Sequence, residues 1–145
     1  MFTTSVSSIS MFAIAKHWPR HLLLAAACVA PAFVCAASDT AAVDGKTYTG
    51  TLTKQGETQG DPDDFVFKDG KFISTACAGF GFKPASYTTQ QEGKRLVFTA
   101  TSETDNGVHM QWKGTIVDDH LEATAQWQRP DQPTVEFHAK ASVKH

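Results

Sequence analysis

Four histidines stand in the C-terminal half of the chain, His109, His120, His138 and His145. Histidine is the side chain most readily recruited to hold a metal or move a proton near neutral pH. Their spacing argues against a shared ion. His109 and His138 sit in alternating stretches whose register separates them by about 13 Å along the strands and about 9 Å across them. His120 falls in a turn and His145 ends the sequence. Zinc–nitrogen bonds of about 2 Å cannot bridge such gaps, so no metal is expected. Glu57, Asp61, Asp63 and Asp64 crowd one polar stretch. Calcium takes six to eight oxygens in a defined loop spacing, and this stretch matches none, so it reads as a solvated acidic loop. No nucleophile elbow, HExxH or P-loop pattern occurs, and no carboxylate is expected to point inward. The chain is therefore not expected to be an enzyme or to carry a cofactor.

Two further features could do chemistry of a softer kind. Cys77 is the one cysteine outside the first 36 residues, since Cys28 and Cys35 precede it there. That excludes an internal disulfide or a CxxC site in the remainder. Cys77 is expected to be a small, semi-buried side chain, the alternative being an intermolecular disulfide or a reactive thiol. Phe80 and Phe82 flank Gly81 and follow Gly79. Two such rings are unfavourable in water, so they either plug one end of the core or form a mobile portal over a cavity.

The elements that must position these residues are strands. Val108, Met110, Trp112, Gly114 and Ile116 alternate with polar residues, as do Leu121, Ala123, Ala125 and Trp127. A two-residue loop at Asp118-Asp119 pairs Ile116 with Leu121, Trp112 with Ala125 and Met110 with Trp127. A one-residue slip would set Trp127 against Gln111, so the register is strongly specified. Asp69-Gly70 joins 65–68 to 71–77, with Phe67 opposite Phe72. Glu92-Gly93 joins 85–91 to 94–102, with Tyr87 opposite Phe98 and Thr89 opposite Leu96. A first strand covers 47–53, a loop 54–64, and a last strand 134–143 follows the turn 129–133. Val135, Phe137, Ala139 and Ala141 alternate there.

The start of the chain has a different character. Lys16, His17, Arg20 and His21 precede the apolar run 22–34, which is too short for the roughly 20 helical residues that span a bilayer. Val34-Cys35-Ala36 supplies small residues for cleavage after Ala36. Residues 1–36 thus read as a signal peptide, with Met11 as an alternative start and a lipid-modified Cys28 as a weaker alternative fate. Residues 37–44 read as a flexible segment and 45–145 as a single domain. Of 13 Lys and Arg, two (Lys16 and Arg20) fall in the signal, leaving 11 against 15 Asp and Glu, a net −4. That balance argues against a nucleic-acid-binding surface and against binding to an anionic membrane. A periplasmic or secreted location follows, with no membrane span in the mature chain.

Eight strands joined by short turns, with one apolar face, predict an all-β fold: an antiparallel up-and-down meander closed into a barrel. A two-sheet sandwich is the alternative. The apolar face points inward, the reverse of a transmembrane barrel. An eight-stranded meander of this size behind a signal peptide resembles the lipocalin-like (calycin) barrels. Calycins carry Gly-x-Trp in the first strand; here Gly45-Lys46-Thr47-Tyr48 is one residue longer with Tyr for Trp. They often place an Arg on the last strand, where Lys140 is the nearest candidate, facing outward. The resemblance implies a small apolar ligand, or a protein partner at the barrel mouth.

The side chains expected to meet a ligand are Tyr48, Phe67, Phe80, Phe82, Tyr87, Phe98, Trp112 and Trp127. Gly114, Ala123 and Ala139 fall side by side on neighbouring strands, which predicts a pocket at that level walled by Trp112 and Trp127. The competing expectation is a protein-interaction module with a solid core, such as an inhibitor of a secreted hydrolase.

Overall fold

The computed structural model describes residues 42–145. The expected signal peptide and residues 37–41 lie outside the described residues. Eight strands and one helical turn follow in order: β1 Thr47–Lys54, β2 Asp61–Lys68, β3 Lys71–Ser74, α1 Thr75–Ala78, β4 Ala85–Glu92, β5 Arg95–Glu103, β6 His109–Val117, β7 His120–Gln128 and β8 Val135–Val143. Each strand pairs antiparallel with the next, and β8 returns to β1 from Tyr48↔Val143 to Lys54↔Phe137. The sheet is therefore a closed up-and-down barrel, and closure excludes the sandwich. This architecture is compatible with a lipocalin-like barrel. Among the described residues no helix is long and apolar enough to cross a membrane.

The β6–β7 and β7–β8 registers follow the alternation: Trp112↔Ala125, Met110↔Trp127 and Ala123↔Ala139. Phe67↔Phe72 follows from Asp69-Gly70, both at positive φ (53° and 69°), as a primed hairpin turn requires. The β4–β5 register differs from the expectation by two residues. Tyr87 pairs with Ala100, Thr89 with Phe98, and Glu92 with Arg95. The loop is Gly93-Lys94, not Glu92-Gly93. Gly93 takes φ +62° at the first central position, where a glycine-led turn is favoured, and Glu92 stays in the strand. A two-residue shift preserves the inward face, so Tyr87 and Phe98 remain interior.

Two boundaries move for a physical reason. β2 begins at Asp61, four residues before the expected start, and takes in most of the acidic stretch. It pairs with β1 from Asp61 to Val66 but with β3 only from Phe65 to Lys68. Pro62 is therefore tolerated where the strand has a free edge. β3 ends at Ser74, and residues expected to continue it form α1 instead.

The strands meet at two rims. One carries the turns Asp69-Gly70, Gly93-Lys94 and Asp118-Asp119, and it is closed by the segment 43–45 that leads into β1. Val43 is 2% exposed there. The Asp44 carboxylate accepts from Gly70 N (2.9 Å) and Tyr87 Oη (3.1 Å), and Gly45 N donates to Phe67 O (2.7 Å). Residues 43 and 44, expected to be flexible, are thus held by backbone and side-chain bonds. The other rim carries the longer connections and α1.

The interior between the rims is filled. Phe67 packs at centroid distances of 5.0–5.1 Å against Phe72, Tyr87 and Phe98, and Phe72 lies 5.1 Å from Trp112. Tilted and edge-to-face contacts of this kind add to the burial of the rings. The interior pocket expected beside Gly114, Ala123 and Ala139, walled by Trp112 and Trp127, does not form among the described residues; the shallow groove these three line lies on the outer face, between Lys113, Glu122 and Lys140. The Phe98 ring lies against Gly114, where an added Cβ would also sit 2.7 Å from the Ala123 Cβ. Small side chains on β6, β7 and β8 make room for large ones on β2, β3 and β5.

Candidate functional site

Larger concavities on the barrel are shallow, and the most enclosed one lies at the long-loop rim. A cavity of about 170 Å3 is lined by Leu52, Asp61, Ala76, Cys77, Phe80, Phe82, Met110, Trp127 and Phe137. Cys77, Phe82, Met110 and Leu52 are buried, whereas Asp61 and Phe80 are exposed. The first group is the floor and the second stands at the mouth. Phe80 is 74% exposed, Phe82 only 5%.

Trp127 organises the aromatic wall. Its ring centroid lies 6.3 Å from Phe80, 6.4 Å from Phe82 and 6.4 Å from Phe137. Arg129, two residues on, stacks on the same indole with its guanidinium carbon 4.4 Å from the centroid, a cation–π contact. The buried Trp127 Nε1 has no hydrogen-bond partner among the described residues.

The position of Phe80 and Phe82 depends on α1, and α1 depends on Asp63. The Asp63 carboxylate is 4% exposed. It accepts from Ser74 Oγ (2.5 Å), Thr75 Oγ1 (3.0 Å) and Ala76 N (2.9 Å). Ser74 in turn caps the helical turn, accepting from Cys77 N at 3.1 Å. Phe80 N and Phe82 N then both donate to Cys77 O (2.9 and 3.4 Å), which folds the two rings back over the rim. Gly81, at φ +87°, makes the reversal between them. An inward carboxylate is thus present, against expectation. Its signal was the period-two phase of Asp61 and Asp63 with Phe65 and Phe67, obscured by Pro62 and by the acidity of the stretch.

Cys77 is buried at 5% exposure, more deeply than expected, and burial pushes its thiol up to about 11. At neutral pH it is protonated and acts as a soft apolar surface. Tyr87 is pushed to about 12, first by burial and then by the Asp44 carboxylate it bonds.

The eight residues expected to meet a ligand divide into two groups. Phe80, Phe82 and Trp127 come together at the cavity. Tyr48, Phe67, Tyr87, Phe98 and Trp112 do not reach it; each is 5% exposed or less in the packed interior. Leu52, Asp61, Ala76, Cys77, Met110 and Phe137 also line the cavity and were outside the expected set. Met110 and Phe137 fall on the apolar phase of their strands in the sequence, and only the level at which each sits distinguishes lining from core. His109 and His138 each contact a nearby carboxylate, Glu103 at 3.2 Å and Glu136 at 3.5 Å. Among the described residues no three His, Cys, Asp or Glu side chains form a group that could hold a metal ion. No family model, curated protein or solved structure matches the chain.

Proposed function

We propose that this chain is an exported, calycin-type barrel that binds a small, largely apolar molecule at its long-loop rim and performs no catalysis. The observation that carries this reading is the cavity of about 170 Å3 walled by Trp127, Phe82, Phe137, Leu52 and Met110. A closed apolar cavity of roughly 150 Å3 accommodates benzene. Drug-sized ligands need about 300 Å3 or more. The occupant is therefore of fragment size, a single ring or a short branched chain. Export rests on the basic and apolar start of the sequence, and is tested by the intact mass of the exported protein, which should begin at Ala37.

Binding is tested with toluene and NMR. Its addition should shift the Trp127 indole N–H and the Leu52 and Met110 methyl signals, and leave Trp112 in place. Phe80→Ala should weaken binding several-fold with little change in melting temperature, because this ring is largely solvent-exposed. Absence of any shift on adding toluene would overturn the cavity reading. The exposed Phe80 ring would then favour the second reading, a rim that docks a protein partner.

A further inference from the structure

The rim cavity combines three properties. Its wall carries four aromatic rings, Phe80, Phe82, Trp127 and Phe137. Its floor carries two soft sulfurs, Cys77 and Met110. Its one charged lining residue is a carboxylate, Asp61, and no basic side chain lines it. An apolar occupant requires the first two properties. It gains nothing from the third.

The charge balance around the cavity sharpens the point. Lys54 lies 3.7 Å from Glu57, Lys83 pairs with Asp105, and His109 and His138 lie beside Glu103 and Glu136. Arg129 keeps its charge on the Trp127 face, with no ionic partner among the described residues, but is not among the lining residues. Asp63 is committed to Ser74, Thr75 and Ala76. Asp61, the one carboxylate lining the cavity, has no hydrogen-bonded or ionic side-chain partner among the described residues. It pairs with inward-facing Leu52 and shares the inward phase of Asp63 and Phe65, so its carboxylate stands at the mouth.

Resting on the reading of this cavity as a binding site, we propose that its ligand is a small organic cation with an apolar shell, of the methylated-ammonium class. Aromatic faces attract such a cation through their quadrupoles, most strongly for Trp. Trp127 already engages one cation through its ring, the Arg129 guanidinium. The cationic head would lie among the rings and the sulfurs, with Asp61 supplying the opposite charge at the mouth. A quaternary ammonium needs no hydrogen-bond acceptor, which suits a floor whose only acceptors are the weak ones of Cys77 and Met110.

The test compares choline with its uncharged isostere, in which carbon replaces the quaternary nitrogen. Both are titrated into the purified protein while the Trp127 indole signal is followed. Choline should bind about tenfold more tightly than the isostere, the scale of a partly desolvated cation–π site. Asp61→Asn, at an exposed position, should reduce that preference by a measurable factor, about twofold, without lowering the melting temperature. Equal or tighter binding of the isostere would overturn the cation inference and leave the apolar site intact. So would a preference for choline that Asp61→Asn leaves unchanged, or binding of toluene alone. If neither choline, isostere nor toluene binds, the inference and the site fall together.

Discussion

Cys77 shows how position alone assigns a residue its chemistry. Its thiol would ionise near 9.0 when exposed and does so near 11 in the fold. Between those values the folded state keeps a proton that the unfolded state has lost. Its contribution to stability is therefore complete below pH 9 and disappears as pH rises towards 11, by roughly 2–3 kcal/mol. Cys77→Ala should flatten that limb of the stability–pH curve, and the native thiol should resist alkylation at pH 8 until denaturant is added. Gly114 carries the opposite constraint, one of space. An added Cβ would meet the Phe98 ring, the Ala123 Cβ at 2.7 Å and Glu122 O at 2.9 Å. Gly114→Ala should cost about 1–3 kcal/mol, as overpacking does, read as a lower denaturation midpoint. Ala123→Leu should behave likewise.

Among the elements, the join between β2, β3 and α1 decides whether the rim site exists. A four-residue helix has no stability of its own. Here Ser74 caps it, and Asp63 holds Ser74, Thr75 and the Ala76 amide at once. Ser74→Ala removes one cap and should cost about 1 kcal/mol. Asp63→Ala strands three buried or half-buried donors and should cost about 2–4 kcal/mol. In both variants the Phe80 and Phe82 amides should lose hydrogen-exchange protection before the β6–β7 pairs do. Uniform loss of protection would show that α1 is not a separate unit. By contrast, the Glu122–Lys140 pair on the outer face, 3.7 Å apart and well exposed, should be worth less than about 1 kcal/mol.

At the scale of the whole molecule, the two rims have different tasks. The tight-turn rim is sealed by Val43 and Asp44, and the long-loop rim is left open between Phe80 and Asp61. The barrel between them is packed with rings and has no through-cavity. Val43→Asp should bury an unpaired carboxylate and destabilise the whole barrel by several kcal/mol, detected as a large fall in melting temperature. The rim cavity should still bind toluene at temperatures where that variant remains folded. Loss of binding in the folded variant would mean that the two ends are coupled.

Period-two alternation and turn chemistry alone determined the strand count, the inward face and most of the register. Each is a local property, since a strand's faces alternate residue by residue and Asp-Gly dictates its own turn. For this reason Trp112↔Ala125 and Phe67↔Phe72 could be read from spacing. Closure of β8 on β1 and the level of each inward side chain along the barrel axis were not local. Which ring fills which gap depends on strand tilt and on neighbours distant in sequence. Trp112 and Trp127, similar in sequence context, thus part company, one into a solid core and one onto a cavity wall. Asp61 and Asp63 carried the correct phase, but composition pointed to a loop. Only the tertiary structure supplied the donors that make an inward carboxylate stable there.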